Sequence, residues 1–353
     1  MLKRKHNALM ADINNGLKNG HFVLGSGVGA MNRFARNARS KLAFPVIPNI
    51  QTILPDPVQT LSFSPSFSFP PQTPHPFKIK YNCYTHTGEP FQFGASENTQ
   101  LLLHAINESR MFLESIIEAT PRRRPCKSGY DIVIDLILYT EAWPYGSTVL
   151  GGAEIDSAQW NDTEVPSFPT YSRIVFNLNH IDFITTGNEP VLATLNGASV
   201  WSVMPVLIHE TLHCLGIAAS FSNNNHGWNR LLDETGTWYV GLNGNPETSK
   251  AIAEYRLSFG EQYHRIPVEN SLGPGSAWSH FEEGIDDAFQ LENREFDYGE
   301  GPVVHPPLML DIISTLAGPG PEYIFSSITA GALADLGYAV NMNNPLLFYY
   351  SLT

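Results

Sequence analysis

Two histidines and a glutamate, His209, Glu210 and His213, form the pattern H-E-x-x-H, whose residue types and spacing suit metal chemistry. If this segment is helical, residues four apart share one face and lie about 5–6 Å apart at Cβ, so both imidazoles can reach one ion. Zinc binds imidazole nitrogen at about 2.0–2.1 Å, and it lowers the pKa of a coordinated water to about 7. Glu210 flanks the metal-facing side and can act as the general base for that water. The motif therefore predicts a zinc-dependent hydrolase.

The residues around the motif predict a buried helix over 203–215. Pro205 would lie in its first turn, where proline is tolerated, and Gly216 would follow its last turn. The remaining side chains are mostly apolar, so the ionisable groups among them need a ligand or a partner. The alternative interpretation is a chance match on a core helix whose histidines are satisfied by hydrogen bonds.

A catalytic zinc site needs a third protein ligand, and spacing alone leaves several candidates. The extended pattern H-E-x-x-H-x-x-G-x-x-H has Gly216 in place but ends at Ala219, which has no donor atom. An acid from a following helix, Asp233 or Glu234, would give a site with two histidines and one carboxylate, although the same pair also suits a solvated turn. The other candidates are histidines farther along the chain: His280, His226, His264 and His305.

Residues 1–76 differ in composition from the rest of the chain. Residues 1–41 contain eight basic side chains and one acidic side chain, and residues 43–77 contain nine prolines. Proline at that density prevents both helices and sheets. We interpret 1–76 as a leader, linker or pro-segment without regular structure, basic at first and then proline-rich. Its basic part suits a targeting segment, a pro-segment or a plain disordered tail.

Residues 77–353 are predicted to form one catalytic domain with lobes at about 77–216 and 217–353. Alternating or continuous apolar residues predict strands in the first lobe, and helical spacing predicts an amphipathic helix over 97–119. The predicted strands cover 77–83, 132–139, 149–155 and 174–178. The second lobe is rich in Gly, Pro and Asn, so we expect it to be irregular apart from a helix over 327–336. The expected fold class is α+β, with a twisted mixed sheet and two helices in the first lobe.

Composition excludes several classes of protein. A formal net charge of −13 argues against binding of nucleic acid or anionic membrane, and the absence of a long apolar stretch predicts no transmembrane segment. Three cysteines are too few for a disulfide framework. Cys83 and Cys126 could pair in an oxidising compartment, whereas Cys214, in the motif helix, is predicted to be a buried free thiol.

Four features follow one another along the chain: Gly216 after the motif helix, Ser279-His280-Phe281, Leu308-Met309, and the segment 327–338 that ends in Asp-Leu-Gly-Tyr. Over roughly residues 77–345, this order resembles the leishmanolysin-type metzincins. In that family an insertion separates the glycine from a third zinc histidine in a Ser-His-aromatic context. Phe281 stands where tryptophan is more usual.

The resemblance implies that His209, His213 and His280 bind one catalytic Zn²⁺ and that Glu210 is the general base. It implies that Met309 forms the hydrophobic floor under the metal. The implied protein is a metalloendopeptidase that hydrolyses peptide bonds in protein substrates. The resemblance also implies a secreted or cell-surface location; the alternative is cytoplasmic, because no signal peptide is readable.

Two other functions compete with this interpretation. One is a gluzincin-type peptidase with Glu234 as the third ligand, and the other is a catalytically inactive zinc-binding protein with an adhesive or interaction role. The presence of Glu210 argues against the inactive protein, which would not need a base. For a peptidase, we expect the substrate to lie extended along an edge strand, supplied by 149–155 or by 171–178.

Overall fold

The computed structural model describes the chain in segments that surround the candidate site. They are residues 77–94, 97–120, 129–140, 151–155, 168–178, 185–186, 189–217, 227–269, 280–281, 308, 311–314 and 322–350. The predictions for the leader over 1–76, for Cys126 and for Met309 lie outside the described residues. Two candidate third ligands, His226 and His305, lie outside them as well.

The described segments contain four α-helices and several small sheets, which makes the fold mixed α+β. The elements are, in chain order, β1 (Ile79–Thr85), α1 (Glu97–Ile116), β2 (Ile117–Ala119), β3 (Ile132–Tyr139), β4 (Gly151–Ile155), β5 (Tyr171–Asn177), β6 (Thr185–Thr186), β7 (Glu189–Pro190), β8 (Leu192–Leu195), β9 (Ala198–Trp201), α2 (Val203–Cys214), β10 (Trp238–Tyr239), α3 (Lys250–Phe259), β11 (Ile266–Pro267), β12 (Glu322–Tyr323), α4 (Ser327–Asp335) and β13 (Ala339–Val340). None of the helices among these residues is long and apolar enough to cross a membrane.

A four-stranded mixed sheet in the order β1-β3-β5-β4 supports the candidate site. The strands β1, β3 and β5 run parallel, and β4 pairs antiparallel with β5. All four strands were predicted from the sequence. β3 has the predicted bounds, the ends of β1 and β5 differ from the predicted ones by up to three residues, and β4 ends at the predicted residue. β3 lies between two neighbours and is buried along almost its whole length, which is why its sequence is a nearly continuous apolar run.

One of the two predicted edge strands is wrong. Tyr171–Asn177 (β5) lies between β3 and β4 and therefore has both edges paired. β4 pairs with β5 alone among the described residues, so Gly151–Ile155 forms the edge of this sheet. Local patterning gave no information on which strand was outermost, because strand order depends on pairing between distant segments.

Helices α1 and α2 pack together under the sheet. The hydroxyl of Ser109 in α1 donates to the carbonyl of Met204 in α2 at 3.4 Å, and the hydroxyls of Tyr81 in β1 and Thr211 in α2 are 2.6 Å apart. The prediction that the first helix continues to residue 119 is wrong, because residues 117–119 leave it to pair with β13. The backbone pairing outweighs the helical pattern of the last apolar residues.

The hairpin of β8 and β9 was not predicted, although its turn carries a recognisable signal. Asn196 and Gly197 both have positive φ, as a two-residue hairpin turn requires. The Asn196 amide donates to the carbonyls of Phe325 and Leu346 at 3.1 and 2.6 Å and accepts from the Phe325 N–H at 2.7 Å. The turn thus attaches the C-terminal segment to the rest of the fold.

The described residues of the second half contain a helix, α3, that was not predicted. Helix α3 begins with Ser249 as its N-cap, whose hydroxyl accepts from the Ile252 N–H, and Gly260 follows its last residue. The predicted C-terminal helix is confirmed as α4. The two helices are in close contact, because a Cβ atom at Gly331 would lie 2.6 Å from the Ala251 nitrogen. The carboxylate of Asp335 at the end of α4 accepts hydrogen bonds from the first turn of α3.

Cys214 is buried, as predicted, and neither it nor the buried Cys83 forms a disulfide with another described residue. Burial raises the pKa of the Cys83 thiol far above its usual value. Cys83 therefore belongs to the core beneath the sheet and is not part of a disulfide among the described residues.

Candidate metal centre

Three buried histidines converge at one point. His209 and His213 lie one turn apart on α2, with their Nε2 atoms 3.0 Å apart. The Nε2 atom of His280 lies 3.3 Å from that of His209, although the two residues are 71 positions apart. One ring nitrogen from each of the three histidines lies within 4.8 Å of the others. The structure therefore brings together the three residues that the resemblance selected as metal ligands.

The spacing of the ring nitrogens is that of a coordination site. Two nitrogen donors at about 2.05 Å from a tetrahedral ion are about 3.3 Å apart. The observed Nε2–Nε2 distances are 3.0 and 3.3 Å. The three residues can therefore hold one ion with little rearrangement.

Backbone carbonyls orient the two helical histidines. The Nδ1 of His209 lies 2.5 Å from the carbonyl oxygen of Ile312, and the Nδ1 of His213 lies 3.0 Å from that of Ile217. A carbonyl only accepts hydrogen bonds, so each Nδ1 carries a proton, and each neutral ring presents its Nε2 lone pair to the centre. Metal-binding histidines commonly have such a partner on their second nitrogen.

Burial keeps the two helical imidazoles uncharged. It lowers the pKa of His209 to about 4. Burial also lowers the pKa of His213 well below its usual value, and the neighbouring His209 and His280 add to this effect. Two neutral rings whose lone pairs face each other at 3.0 Å repel, whereas a cation between them makes the same arrangement favourable. The donor set thus suits a transition metal, and imidazole alone does not select zinc over copper, iron or nickel.

Long-range backbone pairing holds His280 in place. Its carbonyl accepts from the Glu269 N–H at 2.9 Å. The next residue, Phe281, forms β-bridges with Val268 and Ser314 and packs its ring against Trp228. The third histidine is therefore fixed by contacts with several distant segments of the chain.

Glu210 lies beside the histidines, with a carboxylate that has an unsatisfied oxygen. The residue is 3% exposed, and its Oε2 has no hydrogen-bond partner among the described residues. Burial raises the pKa of Glu210 to about 8. A buried carboxylate without a partner is costly, so this group is suited to exchanging a proton with a bound molecule.

The edge strand β4 passes close to Glu210. A Cβ atom at Gly151 would lie 3.1 Å from Glu210 Oε1 and 3.3 Å from the carbonyl oxygen of Val175. Glycine is therefore the residue that lets the strand approach this carboxylate. Gly151 was not among the predicted site residues, and its only signal in the sequence is the Gly-Gly pair that opens the strand.

Other sequence-based candidates lie away from the centre. Glu234 is exposed, and Asp233 caps a turn by accepting hydrogen bonds from the Thr237 and Trp238 N–H groups. Neither acid belongs to the histidine group. His264 is exposed and contacts Arg256. The third-ligand alternatives at these three positions are therefore not supported by the structure.

Met309 and Ala219 lie outside the described residues, as do the neighbours of His280 on its N-terminal side. Leu308, which precedes Met309, is fully buried. The role of Met309 beneath the metal stays a prediction.

Neither the family models, nor the curated proteins, nor the solved structures with which the chain was compared contain a match.

Proposed function

We propose that this chain is a zinc-dependent endopeptidase that hydrolyses peptide bonds in protein substrates. The observation that supports the proposal most strongly is the convergence of three ring nitrogens, with two of the rings held neutral. They lie next to a buried carboxylate, one oxygen of which has no hydrogen-bond partner among the described residues. His209, His213 and His280 would hold the metal. A zinc ion there would polarise the scissile carbonyl and acidify a water molecule.

Glu210 would move the protons of the reaction. Its carboxylate would take a proton from the attacking water and deliver it to the amine nitrogen of the leaving product. Its burial supports this role, because a pKa raised toward neutrality allows a carboxyl group both to accept and to release a proton near pH 7.

The edge strand β4 would bind the substrate backbone. An extended peptide can add to an exposed sheet edge through main-chain hydrogen bonds. Gly151 at the start of β4 lies against Glu210, so a peptide paired with this edge would run past the proposed base. Among the two strands considered from the sequence, only Gly151–Ile155 has a free edge in the described sheet.

The finer assignment to a leishmanolysin-like metzincin is part of the same proposal. It is supported by the order of the motifs in the sequence and by the meeting of His280 with the two helical histidines. The gluzincin alternative has less support because Glu234 is exposed and lies outside the histidine group.

Metal removal tests the proposal directly. We expect the purified protein to contain about one zinc per chain and to cleave casein, because a catalytic site of this type holds one ion. Dialysis against 1,10-phenanthroline should reduce cleavage to background, and stoichiometric zinc should restore it. Metal content by plasma mass spectrometry and casein cleavage are measured on the same samples. Cleavage that persists in the metal-free protein would rule out the proposal.

Replacing Gly151 with alanine tests the approach of β4 to Glu210. The added Cβ would displace Glu210 by a few tenths of an ångström, because it would lie 3.1 Å from Oε1. Since a misplacement of about 1 Å can cost about 100-fold in rate, we expect kcat to fall about five- to tenfold. Metal content and KM should change little. Steady-state kinetics on a quenched fluorescent peptide measure both constants.

Gly94→Ala is the matched control, because a Cβ there would meet no atom of the described residues within 4 Å. This variant should keep the kcat of the wild type. An unchanged kcat in Gly151→Ala would show that the strand does not position the carboxylate.

A further inference from the structure

Asp311 is a fully buried acid whose side chain binds only uncharged partners in the described residues. Its Oδ1 accepts from the Thr329 hydroxyl at 2.5 Å and from the Ile313 N–H at 3.2 Å. Its Oδ2 accepts from the hydroxyl of Ser326, the N-cap of α4. The carboxylate thus joins the first turn of α4 to the segment 311–314.

The hydrogen bond to the Ile313 N–H has a direct consequence for His209. The Ile313 N–H and the Ile312 carbonyl belong to the same peptide group, and in a trans peptide they point in opposite directions. Asp311 holds the N–H side of this peptide, and the carbonyl on the other side accepts from His209 Nδ1 at 2.5 Å. The orientation of the acceptor for His209 therefore depends on the Asp311 carboxylate.

Backbone contacts fix the rest of this segment, and among the described residues the Asp311 carboxylate is the acceptor for the Ile313 N–H. The Ile312 N–H donates to the Ile324 carbonyl at 2.6 Å, and the Ser314 N–H donates to the Asp311 carbonyl at 2.8 Å. Ser314 also forms a β-bridge with Phe281, next to His280. The segment therefore lies between two of the three histidines.

We propose that Asp311 is a positioning residue for the metal centre. By clamping the peptide between residues 312 and 313 against the first turn of α4, it keeps a carbonyl on His209 Nδ1 and so holds His209 in the tautomer whose Nε2 lone pair faces the other histidines. The expected effect of Asp311 on zinc affinity rests on the proposed metal centre. The tautomer itself is a property of the metal-free protein.

The test uses the full chain, stripped of metal and labelled with ¹⁵N-histidine. The ring signals of His209 are identified by their loss in His209→Gln. In the wild type they should show a single Nδ1–H tautomer. In Asp311→Ala we expect averaged tautomers and a zinc affinity lower by about 10–100-fold, the usual effect of losing a group that orients a ligand. Asp311→Asn retains an Oδ1 acceptor for the Ile313 N–H and should recover most of the affinity.

Asn344→Ala is the control for a purely structural effect. The Asn344 amide is buried and donates to the Ser115 carbonyl at 2.6 Å, away from the histidines. This variant should lose thermal stability but keep the tautomer and the zinc affinity.

If Asp311→Ala does not fold, Thr329→Val takes its place. This substitution removes the hydroxyl that donates to Asp311 Oδ1 and leaves the shape of the side chain almost unchanged. It should shift the tautomer and the affinity in the same direction, by a smaller factor.

The proposal is overturned if the folded Asp311→Ala variant keeps the wild-type tautomer and the wild-type zinc affinity. If Asp311→Ala is unfolded, the same result in Thr329→Val overturns it. So would an equal loss of affinity in Asn344→Ala. None of these measurements uses peptide cleavage, so a failure of the peptidase assignment and a failure of the role of Asp311 give different results.

Discussion

The Glu210→Gln variant is expected to keep its metal and to lose at least about 100-fold in kcat, since a positioned general base contributes about 10²–10⁴-fold. Glutamine has nearly the same shape as glutamate but cannot take a proton from water. The carboxylate is not part of the group of three histidines that can hold the ion, so metal content should stay at the wild-type level. Zinc analysis and cleavage of casein by the same preparation provide the comparison.

Glu234→Gln is the matched control, because it makes the same change at an exposed acid outside the histidine group. It should leave metal content and rate unchanged. A variant at position 210 that cleaves at the wild-type rate would contradict the role of Glu210 as base. Loss of metal in Glu234→Gln would instead favour the site with two histidines and one carboxylate.

The same substitution has an expected effect on stability in the metal-free protein. The folded-state pKa of Glu210 is raised to about 8 from an ordinary value of 4.5, so between these values the folded chain binds more protons than the unfolded chain. The contribution of Glu210 to the stability of the wild type therefore falls as pH rises from 4.5 to 8, whereas the glutamine variant lacks this contribution. The free energy of unfolding of the variant should therefore rise relative to that of the wild type, by at most about 1.4 kcal/mol per pH unit in this range.

The elements that carry the motif were predictable because their signals are local. The strand Ile132–Tyr139 is apolar along almost its whole length, and α2 combines helical spacing with a proline in its first turn and a glycine after its end. Gly216 has φ of 109°, a conformation that glycine adopts without strain. Each of these features can be read within about ten residues of sequence.

The third histidine was not predictable from spacing, because its position depends on contacts between distant segments. His280 is held by pairing of its neighbour with Val268 and Ser314, and no local rule distinguishes it from His226 or His264. The order of motifs along the chain favoured His280 where the spacing did not. The meeting of its Nε2 with His209 Nε2 at 3.3 Å agrees with that choice.

The groups that orient the ligands left no signal in the sequence. Ile312 and Ile217 act through backbone carbonyls, which every residue type possesses, so their side chains give no information about this role.

Helix α3 was not predicted for a different reason. Its surroundings are rich in glycine, proline and asparagine, and its buried face gives only a short apolar pattern of Ala251, Ile252 and Tyr255 within that composition.

His280→Ala is expected to lower zinc affinity by at least about 100-fold and to abolish casein cleavage. The variant keeps His209 and His213, but catalytic zinc sites use three protein ligands. Loss of a group that merely orients a ligand already costs about 10–100-fold in affinity, so loss of the ligand itself should cost at least as much as the upper value. Competition with a chromophoric chelator measures the affinity, and the thermal shift on adding zinc gives an independent measure.

His264→Ala separates this effect from the general loss of a histidine. His264 is exposed and contacts Arg256, so its variant should bind zinc and cleave casein as the wild type does. If His280→Ala loses zinc and activity while His264→Ala keeps both, the site with three histidines is established. If His280→Ala keeps zinc and activity, His280 is not a ligand, and the third ligand must be sought outside the described residues, at His226 or His305. The resemblance to the leishmanolysin-type metzincins would then reduce to a shared short motif on one helix.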